Sequence, residues 1–153
     1  MKIAVRIHDG PLPASRQAGS GDDESGAAGA LVTFEGVVRA LEKGRPIVAL
    51  NYEVYEPMAT RMLQHLAEEV QRSCDLIALS VAHSRGRVPV GRCAFRLQVA
   101  SAHRAEALRA LAEFIDAVKR DVPIWKTAVY KDPIGKNMSA GGFPDDKPAS
   151  EGP

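Results

Sequence analysis

Five cations in this chain have types and spacings that suit chemistry: Lys119 and Lys126, Arg39, and the adjacent pair His103 and Arg104. Lys119 and Lys126 stand seven positions apart in VKRDVPIWKTAVYKD, with Pro123 and the chain's only tryptophan between them. A lysine crowded by like charge and withdrawn from water loses its proton more readily and becomes a base or nucleophile. Arg39 and Arg104 offer forked donors that match phosphate and carboxylate. His103 binds an anion or carries a proton near neutrality. Spacing alone favours plainer roles. Lys119 complements the dipole at a helix C-terminus, Lys126 is an edge-strand charge and Arg39 ends a strand. His103 and Arg104 weaken that reading. Cations in a helix's first turn oppose its dipole, and an anion shared with the free N–H groups explains them better.

Composition narrows the classes. The chain has 153 residues with a formal net charge of +1, 45% hydrophobic and 25% charged. One domain with a real core is expected. No global field points to nucleic acid or to an acidic membrane, so an anion site has to be a local cluster. No apolar run approaches the roughly 20 residues of a membrane helix. Arg6 and His8 interrupt the N-terminal apolar stretch, which argues against a signal peptide. A cytoplasmic location is expected. Cys74 and Cys93 form no CxxC pair, and His8, His65, His83 and His103 are scattered. Neither a disulfide framework nor a metal site is expected, and no cofactor is implied. The expected state of both cysteines is a buried or half-buried thiol. Nucleophile elbow, Walker, HExxH and dinucleotide-binding fingerprints are absent from the sequence. The paired carboxylates Asp22–Glu24 and Glu68–Glu69 read as solvated.

The elements that must position the cations follow from pattern. Lys2–His8 reads as a strand, followed by a Gly, Pro, Ser and Asp-rich mobile loop over residues 9–29. Ala30–Ala40 reads as a strand, with Gly36 marking a bulge or a close approach. LEKGRP reads as a turn joining it to the alternating strand Ile47–Tyr55 in a hairpin. Pro57 suits a first helical position, and Met58, Met62, Leu66 and Val70, with Ala59 and Leu63, form a buried stripe to about Ser73. Leu76–His83 is a strand, SRGRVPVG a bend, and CAFRLQVAS a half-buried strand. Ser101 is the expected N-cap of a second helix with Leu108, Leu111, Phe114, Ile115 and Val118 inward. Pro123 ends that helix, and an extended segment carries Lys126. Residues 133–153 read as a mostly disordered tail. The order is that of an α+β domain over residues 1–132, with mostly antiparallel strands and helices packed on the sheet.

Five segments in order, VTFEGVVR, LNYEVYEPMA, HSRGRVPVG, ASAHRAEAL and IDAVKRDVPIWK, resemble the large, catalytic subunit of molybdopterin synthase over about Leu31–Lys126. The resemblance implies an α/β hammerhead-type fold and a homodimer core within a heterotetramer. It also implies a partner: a small ubiquitin-like sulfur carrier ending in Gly-Gly with a C-terminal thiocarboxylate. The implied reaction moves two sulfurs onto cyclic pyranopterin monophosphate, giving molybdopterin for the molybdenum cofactor. Lys119 and Lys126 match the two active-site lysines. Val37, Val38 and Arg39 match a substrate-contacting strand end. His103 and Arg104 match a pair reaching the pocket from the neighbouring protomer, and Thr127 and Ala128 continue the substrate contacts. Thr127 and Ala128 stand where the family usually carries a basic residue and then Glu. The internal Gly141-Gly142 is no carrier tail, which must end the chain. Two rivals remain: a non-catalytic homologue that binds a partner or anion as a scaffold, and a generic phosphate-binding protein of the same class.

Overall fold

The computed structural model describes residues 2–15, 25–131 and 137–139. Ten elements follow in order: β1 (Lys2–Asp9), β2 (Ala30–Val37), β3 (Leu41–Glu42), β4 (Arg45–Val54), α1 (Met58–Cys74), β5 (Leu76–Pro89), β6 (Cys93–Ser101), α2 (Arg104–Asp121), β7 (Ile124–Lys131) and β8 (Asn137–Ser139). The sheet order is β2-β6-β5-β4-β7-β8, with β1 on β5 and β3 on β4. All pairings are antiparallel except β1 with β5. The α+β class expected from the pattern is what the chain adopts.

One long strand organises the molecule. The first part of β5 pairs with β1 and β6, whereas Gly86–Pro89 pair with β4. The sequence suggested a bend from Ser84 onward, but the strand continues through it. Ladder partners on neighbouring strands outweigh the weak local propensity of Ser-Arg-Gly-Arg. Gly86 takes φ 86° where β5 passes from one set of partners to the other. That conformation suits a residue without a Cβ.

Two cores lie on this frame. The larger packs α1 and α2 against the sheet through Leu63, Leu66, Leu79, Phe95, Leu97 and Phe114, among others. The smaller joins Val38, Ile47, Leu50, Tyr52, Val88 and Ala94, with Ile124, Ala128 and Tyr130 packed on it. Phe114→Ala is expected to lower stability by roughly 3–5 kcal/mol in a denaturant titration, because its ring is fully enclosed.

Several expectations are corrected. β2 does not pair with β4; it pairs with β6, with an irregularity between Gly36 and Val37 where the bulge was expected. The residues after β2 instead make the short hairpin β3–β4. Met58 is 49% exposed and Leu108 is 55% exposed, so neither helix buries all the large residues assigned to it. Both helices turn small residues inward, Ala59 and Ala67 in α1 and Ala107, Ala110 and Ala117 in α2. Alanine lets a helix axis approach closely, an effect that counting large apolar residues overlooks. Pro57 is the N-cap of α1, one position before the first helical residue. The N-cap of α2 is His103; Ser101 ends β6 and donates its hydroxyl to the His103 carbonyl at 2.5 Å. Cys74 is buried and Cys93 half-buried, both as free thiols, as expected. The segment carrying Lys126 is a regular strand between β4 and β8. The loop assigned to residues 9–29 is described only at its ends, where the Leu12 amide bonds the Cys93 carbonyl at 2.9 Å. Of the expected tail, only Asn137–Ser139 lie within the described residues, and they pair with β7.

Candidate active site

Lys119 sits in the last turn of α2, exposed. Val122 ends the helix in an extended conformation, its amide still bonded to the Val118 carbonyl at 3.2 Å. Pro123 then admits no further helical N–H. The chain turns directly into β7, and residues Lys119–Trp125 line a cleft of about 110 Å³. The acid in that cleft, Asp121, is engaged by Arg120 at 3.1 Å.

Lys126 follows at once, on a different footing. It pairs in register with Tyr52 of β4. Side chains alternate along a strand, so Ile124, Lys126, Ala128 and Tyr130 share a face. That is the face packed on the smaller core. The Lys126 Nζ lies 3.5 Å from Glu42 Oε1, and the two side chains are only 8% and 10% exposed. Glu42 arrives there through the tight turn Lys43-Gly44, whose φ values of 50° and 74° are those of a two-residue hairpin loop.

The floor beneath this pair is aromatic. The Tyr52 ring meets His83 edge-on with centroids 5.1 Å apart, and His83 meets Phe95 at 5.7 Å. Burial, with Glu42 and Cys93 nearby, pushes the Tyr52 phenol upward, so it stays protonated. Complete burial pushes His83 down to about 4, against a smaller opposing effect of its bond to the Ser84 carbonyl. His83 is therefore a neutral part of the core. Its linkage has a definite sign. The unfolded chain takes up a proton at His83 as pH falls below about 6.5, while the folded chain does so only near 4. Stability is expected to fall across that window by roughly 1.4 kcal/mol per unit, and His83→Gln should flatten this slope in urea titrations from pH 7 to 4.

The strand end Val37–Arg39 approaches the same core. Val38 is buried there, fixed by its amide to the Arg92 carbonyl at 3.0 Å and by the Gly91 amide to its own carbonyl at 2.8 Å. Val37 and Arg39 on either side are exposed. Thus Val38, Lys126 and Ala128 gather around one small core, with Lys119 in the adjoining cleft. Thr127 points to the opposite face of β7 from Lys126. His103 and Arg104 are exposed at the far end of α2. Fifteen residues of helix separate Arg104 from Lys119, about 22 Å. Within one chain they do not share a site.

Glu42 is the residue that sequence reasoning missed. A Glu beside Lys-Gly in a turn reads as solvated, and its partner lies far along the chain. The signal present was the two-residue spacing of Lys43-Gly44, which predicts a tight hairpin but not the inward aim of the carboxylate. Cys93 is no rival nucleophile, because burial above all pushes its thiol upward. Among the described residues, no group of three or more His, Cys, Asp or Glu is placed to hold a metal ion. None of the described helices is long and apolar enough to cross a membrane.

A long strand shared between two sets of partners, two helices on one core and a lysine-bearing strand over the other define an α+β domain with a cationic cleft at a helix-to-strand turn. Residues 10–121 match the family model for MoaE protein. The molybdopterin synthase catalytic subunit of Bacillus subtilis is 36% identical over 133 residues, 84% of this chain and 85% of that protein. The protein of the same description from Arabidopsis thaliana is 43% identical over 103 residues, 67% of this chain and 52% of its own length. The chain thus spans about half the length of the plant relatives it matches. A crystal structure of molybdopterin synthase from Staphylococcus aureus superposes with a TM-score of 0.70 at 29% identity, covering 89% of this chain and 96% of that one. A complex of subunits 1 and 2 of molybdopterin-converting factor from Helicobacter pylori has a TM-score of 0.62 at 24% identity, covering 90% of each chain; at that identity the likeness concerns the fold alone. The chain belongs to the MoaE family.

Proposed function

We propose that this chain is the catalytic subunit of a molybdopterin synthase, with residues 1–132 as its functional domain. It catalyses transfer of sulfur from the C-terminal thiocarboxylate of a small Gly-Gly-ended carrier to cyclic pyranopterin monophosphate. The description of its relatives as catalytic subunits supports this reading. The observation that carries it is Lys126, a nearly enclosed ammonium on the strand that continues directly from the Lys119 cleft.

Both reactants are anions, a phosphate ester and a thiocarboxylate, and bringing them together needs fixed cations. Lys126 holds positive charge at a defined point. Lys119, exposed at the cleft, acts as base or transient nucleophile at the carrier's terminal carbonyl. Val37 and Arg39, exposed on either side of the buried Val38 that anchors them, contact the substrate, and the Arg39 guanidinium grips its phosphate. Ala128 shapes the wall beside Lys126, and Thr127 extends the contacts on the other face. His103 and Arg104 serve the pocket of a second copy, which makes the working unit a homodimer flanked by two carriers. The sulfur comes with the carrier, so Cys74 and Cys93 need not bear it. The setting is a reducing cytoplasm.

The test is direct. Purified chain, thiocarboxylated carrier and the pterin precursor are expected to yield the dithiolene product. Tight carrier binding without product would instead favour a non-catalytic scaffold. Absence of carrier binding would favour a generic phosphate-binding protein.

A further inference from the structure

We propose that Glu42 is a positioning residue for Lys126, tethering the ammonium by one of its protons and leaving the others for the anion in the site. The inference deepens the proposed function and rests on its assignment of Lys126 to the site.

The hairpin supplies the first argument. The two-residue turn at Lys43-Gly44 sets Glu42 opposite Arg45 in register. Arg45 nevertheless does not draw the carboxylate outward. Its guanidinium lies 4.1 Å from the centre of the Tyr130 ring. Glu42 instead turns inward to Lys126, where both side chains are about nine-tenths withdrawn from water. A buried ion pair is a poor device for stability alone, because desolvation offsets most of the attraction.

The geometry of the pair is the second argument. At 3.5 Å it is longer than the roughly 2.7–2.9 Å of a tight charge-assisted hydrogen bond. A lysine ammonium has three protons to donate. An ion-pair contact on one side holds the group beside Glu42 without saturating it. Tyr52, the register partner of Lys126 on β4, packs edge-on against His83, which in turn meets Phe95, so the strand pair stands on a packed aromatic row. Lys119 has no such arrangement: it is exposed, and the carboxylate in its cleft belongs to Arg120. The two lysines therefore divide the work. Lys126 is the oriented ammonium, and Lys119 is the group left available for proton or acyl transfer.

The test compares wild type, Glu42→Gln and Glu42→Asp as full-length chains. Two readouts are taken: steady-state product formation with excess thiocarboxylated carrier and varied pterin precursor, and acylation of Lys126 by an amine-reactive ester, with Lys119 as internal reference. Glu42→Gln is expected to lower kcat roughly 10- to 100-fold while the KM for the pterin stays within about twofold, and Glu42→Asp to recover part of the loss. Lys126 acylation should rise severalfold relative to Lys119 in Glu42→Gln. Unchanged kcat with an unchanged labelling ratio overturns the proposal. So does a fall in melting temperature with kcat per folded molecule and labelling ratio unmoved, which marks a purely structural pair. If Glu42→Gln does not fold, the labelling ratio in Glu42→Asp decides, with an increase expected and a wild-type value overturning the tether. Should wild type itself make no product, the proposed activity fails, while the labelling ratio still reports on the tether.

Discussion

Lys119→Ala is expected to slow dithiolene formation by roughly 100- to 1,000-fold, the size of effect seen when a group that acts on the reacting atoms is removed. It should do so without destabilising the fold. Lys119 is exposed in the last turn of α2, and Arg120 remains beside it to complement the helix dipole. A surface substitution of this kind stays within about 0.5 kcal/mol. The pairing of a large kinetic loss with a flat melting curve is what separates a chemical role from the dipole role that spacing alone suggests. Lys119→Arg sharpens the result. Arginine keeps the charge but stays protonated and is no nucleophile. If Lys119 serves only as a charge, the Arg variant keeps most of its rate; if it takes a proton or an acyl group, the Arg variant is as slow as the Ala variant. A wild-type rate in Lys119→Ala, measured under single-turnover conditions with thiocarboxylated carrier, removes Lys119 from the mechanism.

Local pattern and long-range placement were not equally legible. Pro123 told where α2 stops, and the stop is what turns Lys119 toward the start of β7. Gly36 told where β2 is irregular. These signals are local: a missing N–H and a missing Cβ act on their own backbone. The pairing of β2 with β6, and the continuity of β5 past Ser84, depend on partners distant in sequence and had no local mark. The helix faces failed for a different reason. Ala107, Ala110 and Ala117 bury little area each, yet they set how closely α2 lies on the sheet, and Leu108 is left outside. The lysines were singled out by type and by the family resemblance, since spacing alone favoured plain surface roles. Glu42, which decides how one of them is held, was not, because a carboxylate beside a turn normally faces water.

The distance along α2 bears on the remaining cations. With about 22 Å of helix between Arg104 and Lys119, His103 and Arg104 cannot reach the lysine cleft of their own chain, and the proposed function assigns them to the cleft of a second copy. His103 makes no side-chain capping bond, and the first turn of α2 holds Glu106 as its acid. The N-terminal end of α2 thus keeps both cations exposed to solvent.

Lys126→Ala carries the second large expectation, and it differs from the first in kind. Sulfur transfer should fall at least as far as in Lys119→Ala, but here stability should fall too. Removing the ammonium strands the Glu42 carboxylate at 10% exposure with its partner gone. Breaking one half of a buried pair costs about 3 kcal/mol at the low end of the range, the end suited to a pair near the rim of a core. For a chain of this size that corresponds to a fall of roughly 6–12 °C in melting temperature. The double variant Glu42→Gln/Lys126→Ala removes the stranded charge and should regain much of that loss while regaining no activity. Non-additivity in stability beside simple loss in rate is the signature of a tether whose carboxylate serves the lysine and not the reaction directly. If Lys126→Ala melts with wild type, the pair is effectively solvated. Lys126 then belongs with Lys119 as a surface cation, and orientation by Glu42 no longer explains how the two lysines differ.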